Sequence, residues 1–311
     1  MRRYGGSCLR FTLPVLDACE VSELKKHGAD ELYCGVMDRA WREKYGGDAS
    51  ISRRQGAANL SSLRSLKELA EEAKQQQLPV HLTLNARVTG DQIPDLVQIA
   101  EDWAGMGGDG IIVQDPGLLL RLREIRPMTL TVSLLAVTVN RYGAAFWRDL
   151  GADRIVFPRF LRFAEMRRIA KAVPEFCYEA MVMGDLCPFA DGYCRSVHAE
   201  SCVPAEPGKN SAGERETWHP SGCAYHLCRE YGEPAEDPCA ACMLAEMERC
   251  GVGIGKIGGR GLPLEIRLKW LDFLKGAGEG GSALPARYRE VFGHPCRCYY
   301  GRESTGGGAP A

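Results

Sequence analysis

Short apolar segments alternate with amphipathic helical patterns along most of this 311-residue chain. Such alternation is typical of a parallel sheet, because each helix returns the chain to the start of the next strand. Eight such units over about 250 residues favour a closed (β/α)8 barrel of the TIM type. The alternative is an open doubly wound sheet, but no Gly-x-Gly-x-x-Gly follows the first strand to support it. The eight predicted strands are Phe11 to Val15, Glu31 to Val36, Val80 to Ala86, Gly110 to Gln114, Thr129 to Leu134, Arg154 to Pro158, Phe176 to Met183 and Gly253 to Ile257.

Glycine-containing stops end several of the predicted helices just before the next strand. Gly28, Gly107 and Gly151 each stand within three residues of a predicted strand start. Glycine readily adopts the left-handed conformation that closes a helix, so these stops support the strand and helix boundaries. The clearest predicted helices are Leu60 to Gln75, Ile93 to Trp103, Leu161 to Ala172 and Leu264 to Leu274.

The stretch from Gly184 to Asp237 does not follow the alternation of strands and helices. It is rich in Gly, Pro, Ser, His and Cys and has no sustained periodicity. Irregular segments of that length are rare unless they serve a function or bind something that orders them. In a barrel, the loop after the seventh strand lies on the catalytic face. We therefore predict a barrel over residues 9–277, including a cysteine-rich cluster-binding loop over 184–242, and a partly disordered C-terminal extension over 278–311.

Cysteine is unusually abundant, and seven of the 14 cysteines lie between Cys187 and Cys242. No segment is apolar enough for a membrane span or a signal peptide, so we expect a cytoplasmic protein, in which structural disulfides are rare. The formal net charge of -1 gives no general attraction to nucleic-acid phosphates or anionic membranes. Metal or redox chemistry localised in the loop is the leading interpretation.

Three cysteine pairs in the loop have spacings suited to metal binding, namely Cys187-x6-Cys194, Cys223-x4-Cys228 and Cys239-x2-Cys242. Thiolates bind zinc or an iron-sulfur cluster, and structural zinc usually takes closer pairs, so the x6 spacing favours a cluster. The preferred ligands are Cys187, Cys194, Cys223 and Cys239, with Cys228 and Cys242 as alternates. Of the others, we expect Cys177 and Cys250 to be buried packing residues and assign no role to Cys202, Cys296 or Cys298.

Three blocks of the sequence resemble the U32 peptidase family, the collagenase-like group that also contains oxygen-independent hydroxylases. The first runs from Tyr178 to Cys194 and holds a strand-borne Glu, a Gly and the Cys-x6-Cys pair. The second runs from Gly251 to Arg260 and is similar to the Lys-Ile-Glu-Gly-Arg element of the family, with Gly258 in place of the Glu. The third is Val156 to Arg159, together with a helix-start Asn at position 140.

The resemblance implies a barrel that holds a 4Fe-4S cluster on four cysteines. Cys187, Cys194 and Cys223 match the first three ligand positions, and Cys239 lies where many members carry the fourth. Four residues separate Cys223 from Cys228, whereas members with a second cysteine there usually have three, so Cys228 stays an alternate for the third position.

The hydroxylase branch implies an Fe-S-dependent enzyme that hydroxylates without molecular oxygen, some members using prephenate as the oxygen donor. Its RNA-acting members are longer and carry a further C-terminal domain, so we expect a small-molecule or quinone-precursor substrate. The alternatives are an RNA base hydroxylase acting on tRNA or rRNA, a non-catalytic cluster-binding subunit that works with a related family partner, and a peptidase, as the family label says.

Polar residues at the carboxyl ends of the predicted strands are the candidates for the active site, because TIM-barrel sites lie at that face. Arginine suits bidentate contacts to carboxylate or phosphate, with a salt bridge that closes the barrel as the alternative role. Glu179 is either an acid or base with a raised pKa or a partner for nearby cations. We predict Glu179, Arg159 and Lys256 as catalytic residues and Asn85, Arg87, Gln114, Asp115 and Arg260 as substrate-binding residues.

Overall fold

A computed structural model describes residues 9–46, 50–54, 56–125, 127–184, 191–192, 238–278 and 283–300. The barrel strands are β1 (Arg10–Pro14), β2 (Glu31–Cys34), β3 (Val80–Leu84), β4 (Gly110–Val113), β5 (Thr129–Val132), β6 (Arg154–Val156), β7 (Cys177–Met183) and β9 (Val252–Ile257). Each pairs in parallel with its neighbours, and β9 bonds to both β7 and β1. The ring is therefore closed, which confirms the (β/α)8 barrel and excludes the open sheet.

Helices cover the outside of the barrel and bury one face each. In α3 (Leu63–Gln75), Ser62 caps the first turn, and Leu66, Leu69, Ala70 and Ala73 repeat at three- and four-residue spacing and are buried. The other helices are α1 (Val21–Lys26), α2 (Arg39–Tyr45), α4 (Ile93–Gly105), α5 (Pro116–Leu122), α6 (Arg141–Leu150), α7 (Phe163–Ala172), α8 (Leu244–Arg249), α9 (Leu264–Lys275) and α10 (Leu284–Phe292).

The predicted stops join each helix to the strand beside it. Gly151 ends α6 at φ +98°, and its N–H bonds to a carbonyl of the last helical turn. Two residues later, the Asp153 carboxylate accepts the backbone N–H of Leu130 at 2.8 Å, next to the start of β5. Asp30 and Asp109 make the same kind of bond to the neighbouring strands β1 and β3. One short motif thus ends a helix and fixes the start of the adjacent strand.

Two short strands, β8 (Pro238–Cys239) and β10 (Arg297–Cys298), extend the sheet at the carboxyl end of β7. β8 runs antiparallel to β7, with Met183 beside Cys239, and β10 runs parallel to β8. The Tyr300 hydroxyl donates to the Met181 carbonyl at 3.1 Å, and its ring centre lies 4.8 Å from that of Phe163. The chain beyond α10 is thereby fastened to the barrel rim.

The predicted C-terminal extension begins with α10, which packs on α9 through contacts of the Phe273 ring with those of Tyr288 and Phe292. The tail predicted to be disordered lies beyond Gly301, outside the described residues. Within the ranges given above, no helix has the length and apolarity to cross a membrane.

The Gly151→Ala substitution tests the role of the stops. The new Cβ would meet Arg123 only at ordinary contact distance, 3.6 Å from its Cβ, so the cost arises from the left-handed backbone. We expect the free energy of unfolding to fall by about 1–2 kcal/mol, measured by urea denaturation. Gly105→Ala, where no heavy atom lies within 4 Å and φ is not left-handed, should leave stability unchanged or raise it. Equal losses of unfolding free energy in both variants would contradict the role of Gly151 as a left-handed helix stop.

Candidate active site at the barrel mouth

The carboxyl ends of the strands carry most of the predicted substrate-binding residues. Asn85 follows β3, and its amide accepts the backbone N–H of Arg53 at 3.0 Å and donates to the Ser133 hydroxyl at 3.3 Å. Gln114 follows β4 and is half-buried. Asp115 lies beside it but caps α5, accepting the Leu118 N–H at 2.8 Å. Gln114 therefore places an amide at the mouth, whereas the Asn85 amide links two neighbouring segments and the Asp115 carboxylate caps a helix.

Arg260 is buried at the same end of the barrel and holds two segments together. Its guanidinium donates to the Thr83 hydroxyl at 2.5 Å and to the Ser52 hydroxyl at 3.0 Å. The Ser52 hydroxyl in turn donates to the Asn59 side-chain oxygen at 2.8 Å. This network fixes the segment after α2 against β3, so the Arg260 charge helps to shape the mouth.

Two arginines anchor the centre of the Cys187-x6-Cys194 segment. Arg159 binds the fully buried Asp191 carboxylate, with Nε 2.9 Å from Oδ1 and its backbone N–H 2.7 Å from Oδ2. Arg87 donates to the Gly192 carbonyl at 2.6 Å. Because these arginines follow β6 and β3, the middle of the cysteine segment lies against the barrel mouth.

Gly192 fits there only because it has no side chain. Its φ is +79°, and a Cβ would stand 2.3 Å from the Val137 Cγ2 and 2.4 Å from the Leu135 carbonyl oxygen. Val137 itself has φ +55°, an uncommon conformation for a β-branched residue. Strained backbone of this kind concentrates at functional sites, where the surroundings enforce it.

The structure corrects the predicted position of Glu179. It is the third residue of the seven-residue strand β7 and lies inside the barrel rather than at the strand end. Its carboxylate stands 3.3 Å from the Lys256 ammonium and 3.6 Å from the Arg154 guanidinium. Lys256, the penultimate residue of β9, also lies 4.1 Å above the Tyr33 ring.

Glu31 extends this interior ion network toward the amino ends of the strands. Its buried carboxylate is bound by Arg154 at 2.5 Å and by Arg10 at 2.7 Å, and His81 Nε2 lies 3.6 Å away. These four residues come from β2, β6, β1 and β3, so the network spans the barrel interior.

The charges of this network settle the protonation of Glu179. Burial acts to raise the pKa of the Glu179 carboxyl, but the positive charges of Lys256 and Arg154 outweigh it and lower that pKa. Burial lowers the pKa of the Lys256 ammonium, and Glu179 partly counteracts this. Glu179 is therefore an ionised partner for cations rather than an acid with a raised pKa.

The predicted cysteine ligands fall into two groups. Cys187, Cys194, Cys223 and Cys228 lie outside the described residues. Cys239 is buried where the chain returns to the barrel, and Cys242 is exposed one turn later. Of the predicted packing cysteines, Cys250 is buried and Cys177 is half-buried.

Sequence reasoning missed Asp191, Ser52 and Ser133, which bind the arginines and amides of the mouth. Asp191 lies between Cys187 and Cys194 in the sequence, and its position between two predicted ligands is the signal that could have identified it. Ser52 and Ser133 carry no comparable sequence signal, because a serine in a loop is ordinary.

His81 gives the interior network a testable pH dependence. Burial, followed by the positive charge of Arg154, lowers the pKa of His81 to about 3, so the folded protein keeps it neutral. The unfolded chain takes up the proton near pH 6.5, and stability must fall as the pH drops below that value. Between about pH 7.5 and about pH 5 we expect a loss of about 2 kcal/mol in the free energy of unfolding. His81→Gln should flatten this fall in urea denaturation. The control His27→Gln, at a site beside Asp272 on the surface, should keep the loss of stability toward low pH. If His81→Gln lost as much stability between these pH values as the wild type, His81 would not be the source of the pH dependence.

The curated proteins similar to this chain include two from Escherichia coli (strain K12). The 23S rRNA 5-hydroxycytidine C2501 synthase is 28% identical over 200 residues, which are 64% of this chain and 28% of that protein. The tRNA hydroxylation protein P is 36% identical over 103 residues, which are 33% of this chain and 22% of that protein. The chain thus matches less than a third of either relative's length.

A similar solved structure is the U32 peptidase Mk0906, with 18% identity and a TM-score of 0.46 over 58% of this chain and 72% of that one. The sequence model of peptidase family U32 matches residues 17–266, which include the whole barrel except β1 and all but the first turn of α9. The chain therefore belongs to peptidase family U32.

Proposed function

We propose that this protein is an RNA base hydroxylase that carries a 4Fe-4S cluster at the barrel mouth. The observation that carries the proposal is the anchoring of Asp191 and Gly192, at the centre of Cys187-x6-Cys194, on Arg159 and Arg87. The names of the curated relatives concern hydroxylation of tRNA and rRNA. They support the RNA alternative over the small-molecule or quinone-precursor substrate that we expect from the sequence.

The surroundings of the loop suit a thiolate-bound cluster. The chain leaves β7 at Gly184 and returns at Pro238, where the Gly184 N–H bonds to the Pro238 carbonyl at 3.1 Å. Both ends of the cysteine-rich loop therefore lie at the mouth. Cys187, Cys194 and Cys223 would hold the cluster with a fourth cysteine, and bound there it supplies redox and Lewis-acid chemistry that side chains lack.

The chain's own residues would bind and orient the substrate. The amides of Asn85 and Gln114 can both donate and accept hydrogen bonds, as the edges of a nucleobase require. Arg87 and Arg260 contribute positive charge at the same rim, which suits a phosphate or the carboxylates of an oxygen donor such as prephenate. Arg159 acts through Asp191 as a positioning residue for the cysteine segment.

Exposed aromatic side chains on segments that leave the mouth support a nucleic-acid substrate. Tyr142 and Phe146, one turn apart on α6, are 71% and 49% exposed, and Phe160, shortly after β6, is 48% exposed. The Arg141 guanidinium lies 4.8 Å from the centre of the Tyr142 ring. Aromatic rings with nearby arginine are the usual stacking platform for single-stranded bases.

Iron content tests the cluster and its anchoring. Purified without air, the protein should be brown and contain about four iron and four sulfide per chain. Cys187→Ser or Cys194→Ser should remove the colour, whereas Cys177→Ser, at the amino end of β7, should retain it. Asp191→Asn removes the charged partner of Arg159 and should therefore speed the loss of the cluster in air. The control Asp149→Asn removes the partner of Arg148 on the surface and should not change the rate of cluster loss.

A wild-type protein without iron or sulfide would overturn the cluster. Equal iron losses in the Cys177 and Cys187 variants would overturn the ligand choice. Identical decay rates for the Asp191 and Asp149 variants would remove the role of the anchor.

Nucleoside analysis tests the substrate. Deleting the gene from its host should remove one hydroxylated nucleoside from tRNA or rRNA, detected by mass spectrometry, and the wild-type gene should restore it. Tyr142→Ala combined with Phe160→Ala should weaken RNA binding, because each stacked base contributes about 1–3 kcal/mol. The matched control is Ile266→Ala, which removes an apolar side chain of 38% exposure on α9. A deletion strain with unchanged nucleosides in both RNA classes would exclude an RNA substrate.

A further inference from the structure

Cys239 is held between two strands at the barrel rim. On one side, the backbone of β8 is bonded to β7, with the Pro238 carbonyl accepting an N–H at 3.1 Å and the Ala240 N–H donating at 2.8 Å. On the other side, β10 pairs with β8 and places Cys298 directly beside Cys239. Cys239 therefore lies on the middle strand of the three that meet at this rim.

The sulfur of Cys239 is buried and accepts a hydrogen bond. The Ala241 N–H donates to it at 3.3 Å, and the residue is only 2% exposed, whereas Cys242 is exposed. A backbone donor of this kind stabilises negative charge on sulfur. Hydrogen bonds to sulfur and exclusion of solvent also set the reduction potential of an iron-sulfur cluster. Of the two cysteines, Cys239 therefore has the surroundings that suit a cluster ligand.

The last described residues bond to Cys239 and to the strand beside it. We call residues 297–300 the C-terminal strap. The Tyr299 N–H donates to the Cys239 carbonyl at 3.3 Å. One residue later, Tyr300 is buried and its hydroxyl donates to the Met181 carbonyl of β7 at 3.1 Å. The strap is thus fixed to β7 by Tyr300 and to Cys239 by the preceding amide.

Closure of the barrel does not require the strap. The ring of eight strands is complete without it, since β9 bonds to both β7 and β1. Within the described ranges, β10 pairs with β8 alone, the strand that carries Cys239. A two-residue strand contributes little stability of its own. The local position of Cys239 is therefore what the strap contacts act on.

We propose that the C-terminal strap positions Cys239 as the fourth cluster ligand and keeps solvent away from its sulfur. The inference rests on the proposed function, because it concerns a ligand of the proposed cluster. Tyr299 and Tyr300 are positioning residues in this arrangement, since both act through Cys239.

Alkylation of the full chain, freed of metal by a chelator, tests the strap without the cluster. Iodoacetamide should modify the exposed Cys242 quickly and the buried Cys239 slowly, as followed by peptide mass spectrometry. Tyr300→Phe removes the bond to the Met181 carbonyl. It should speed the modification of Cys239 about three- to tenfold, which is the effect of one lost hydrogen bond on local opening.

Tyr178→Phe is the matched control for this variant. The Tyr178 hydroxyl is also buried and donates to a backbone carbonyl, that of Val173 at 2.7 Å, but near the amino end of β7. The control should leave the alkylation rate of Cys239 unchanged.

A second pair of variants isolates the backbone bond to Cys239. Tyr299→Pro removes the N–H that donates to the Cys239 carbonyl, whereas Tyr299→Ala keeps this N–H and loses only the ring. We expect Cys239 to react at least about threefold faster in the proline variant than in the alanine variant.

The iron-loaded protein tests the role of the strap toward the cluster. Directly after purification without air, Tyr300→Phe and Tyr299→Pro should still contain about four iron per chain. Their midpoint potential should be higher than that of the wild type, because water stabilises the more negative reduced cluster, and their colour should fade faster in air. Tyr178→Phe should match the wild type in both properties.

The outcomes separate the strap from the cluster. Alkylation of Cys239 at the wild-type rate in both Tyr300→Phe and Tyr299→Pro would overturn the strap and leave the cluster standing. An equal acceleration in Tyr178→Phe would also overturn it. A wild-type chain without iron, in which the strap variants still speed alkylation, would overturn the cluster and uphold the shielding of Cys239. Iron-loaded strap variants with the potential and lifetime of the wild type would overturn the role of the strap toward the cluster.

Discussion

The buried carboxylate of Glu31 is the interaction on which the barrel interior depends. A charge removed from water is tolerated only when it is paired, and removing one partner of such a pair costs about 3–5 kcal/mol. Glu31 on β2 is bound by Arg10 from β1 and Arg154 from β6, and Arg154 also reaches Glu179 on β7. Strands from different sides of the ring are therefore tied together electrostatically, and the apolar core and the helices enclose this polar centre.

The division between interior and rim explains where chemistry is possible. Glu179 and Lys256 neutralise each other below the mouth, whereas Asn85 and Gln114 follow the ends of β3 and β4 and are only half-buried. The arginines of the rim are partly committed to structure, since Arg159 holds Asp191. Selectivity at such a mouth depends on what the loops bring to it, which is the usual property of a barrel fold.

Much of the fold could be predicted because its signals are local. β-branched runs and stops such as Gly151 act within a few residues, and they located all eight barrel strands. The site was harder, because the depth of Glu179 in the barrel depends on how strands from distant parts of the chain align. The partner of Arg159 lies 32 residues away, in a stretch whose sequence has no periodic pattern. The position of Cys298 beside Cys239 depends on β8, a two-residue strand that no periodic pattern in the sequence predicts.

The bond between Gly184 and Pro238 has a consequence for evolution. The chain leaves the barrel and returns to it at two residues joined by one backbone hydrogen bond, so the separation of these two ends does not depend on the length of the stretch between them. Doubling the length of a flexible insertion costs only about 0.6 kcal/mol of closure entropy. Such a clasp allows the length of the intervening stretch to change during evolution without moving β7 or β8, as long as Asp191 and Gly192 keep their contacts with Arg159 and Arg87.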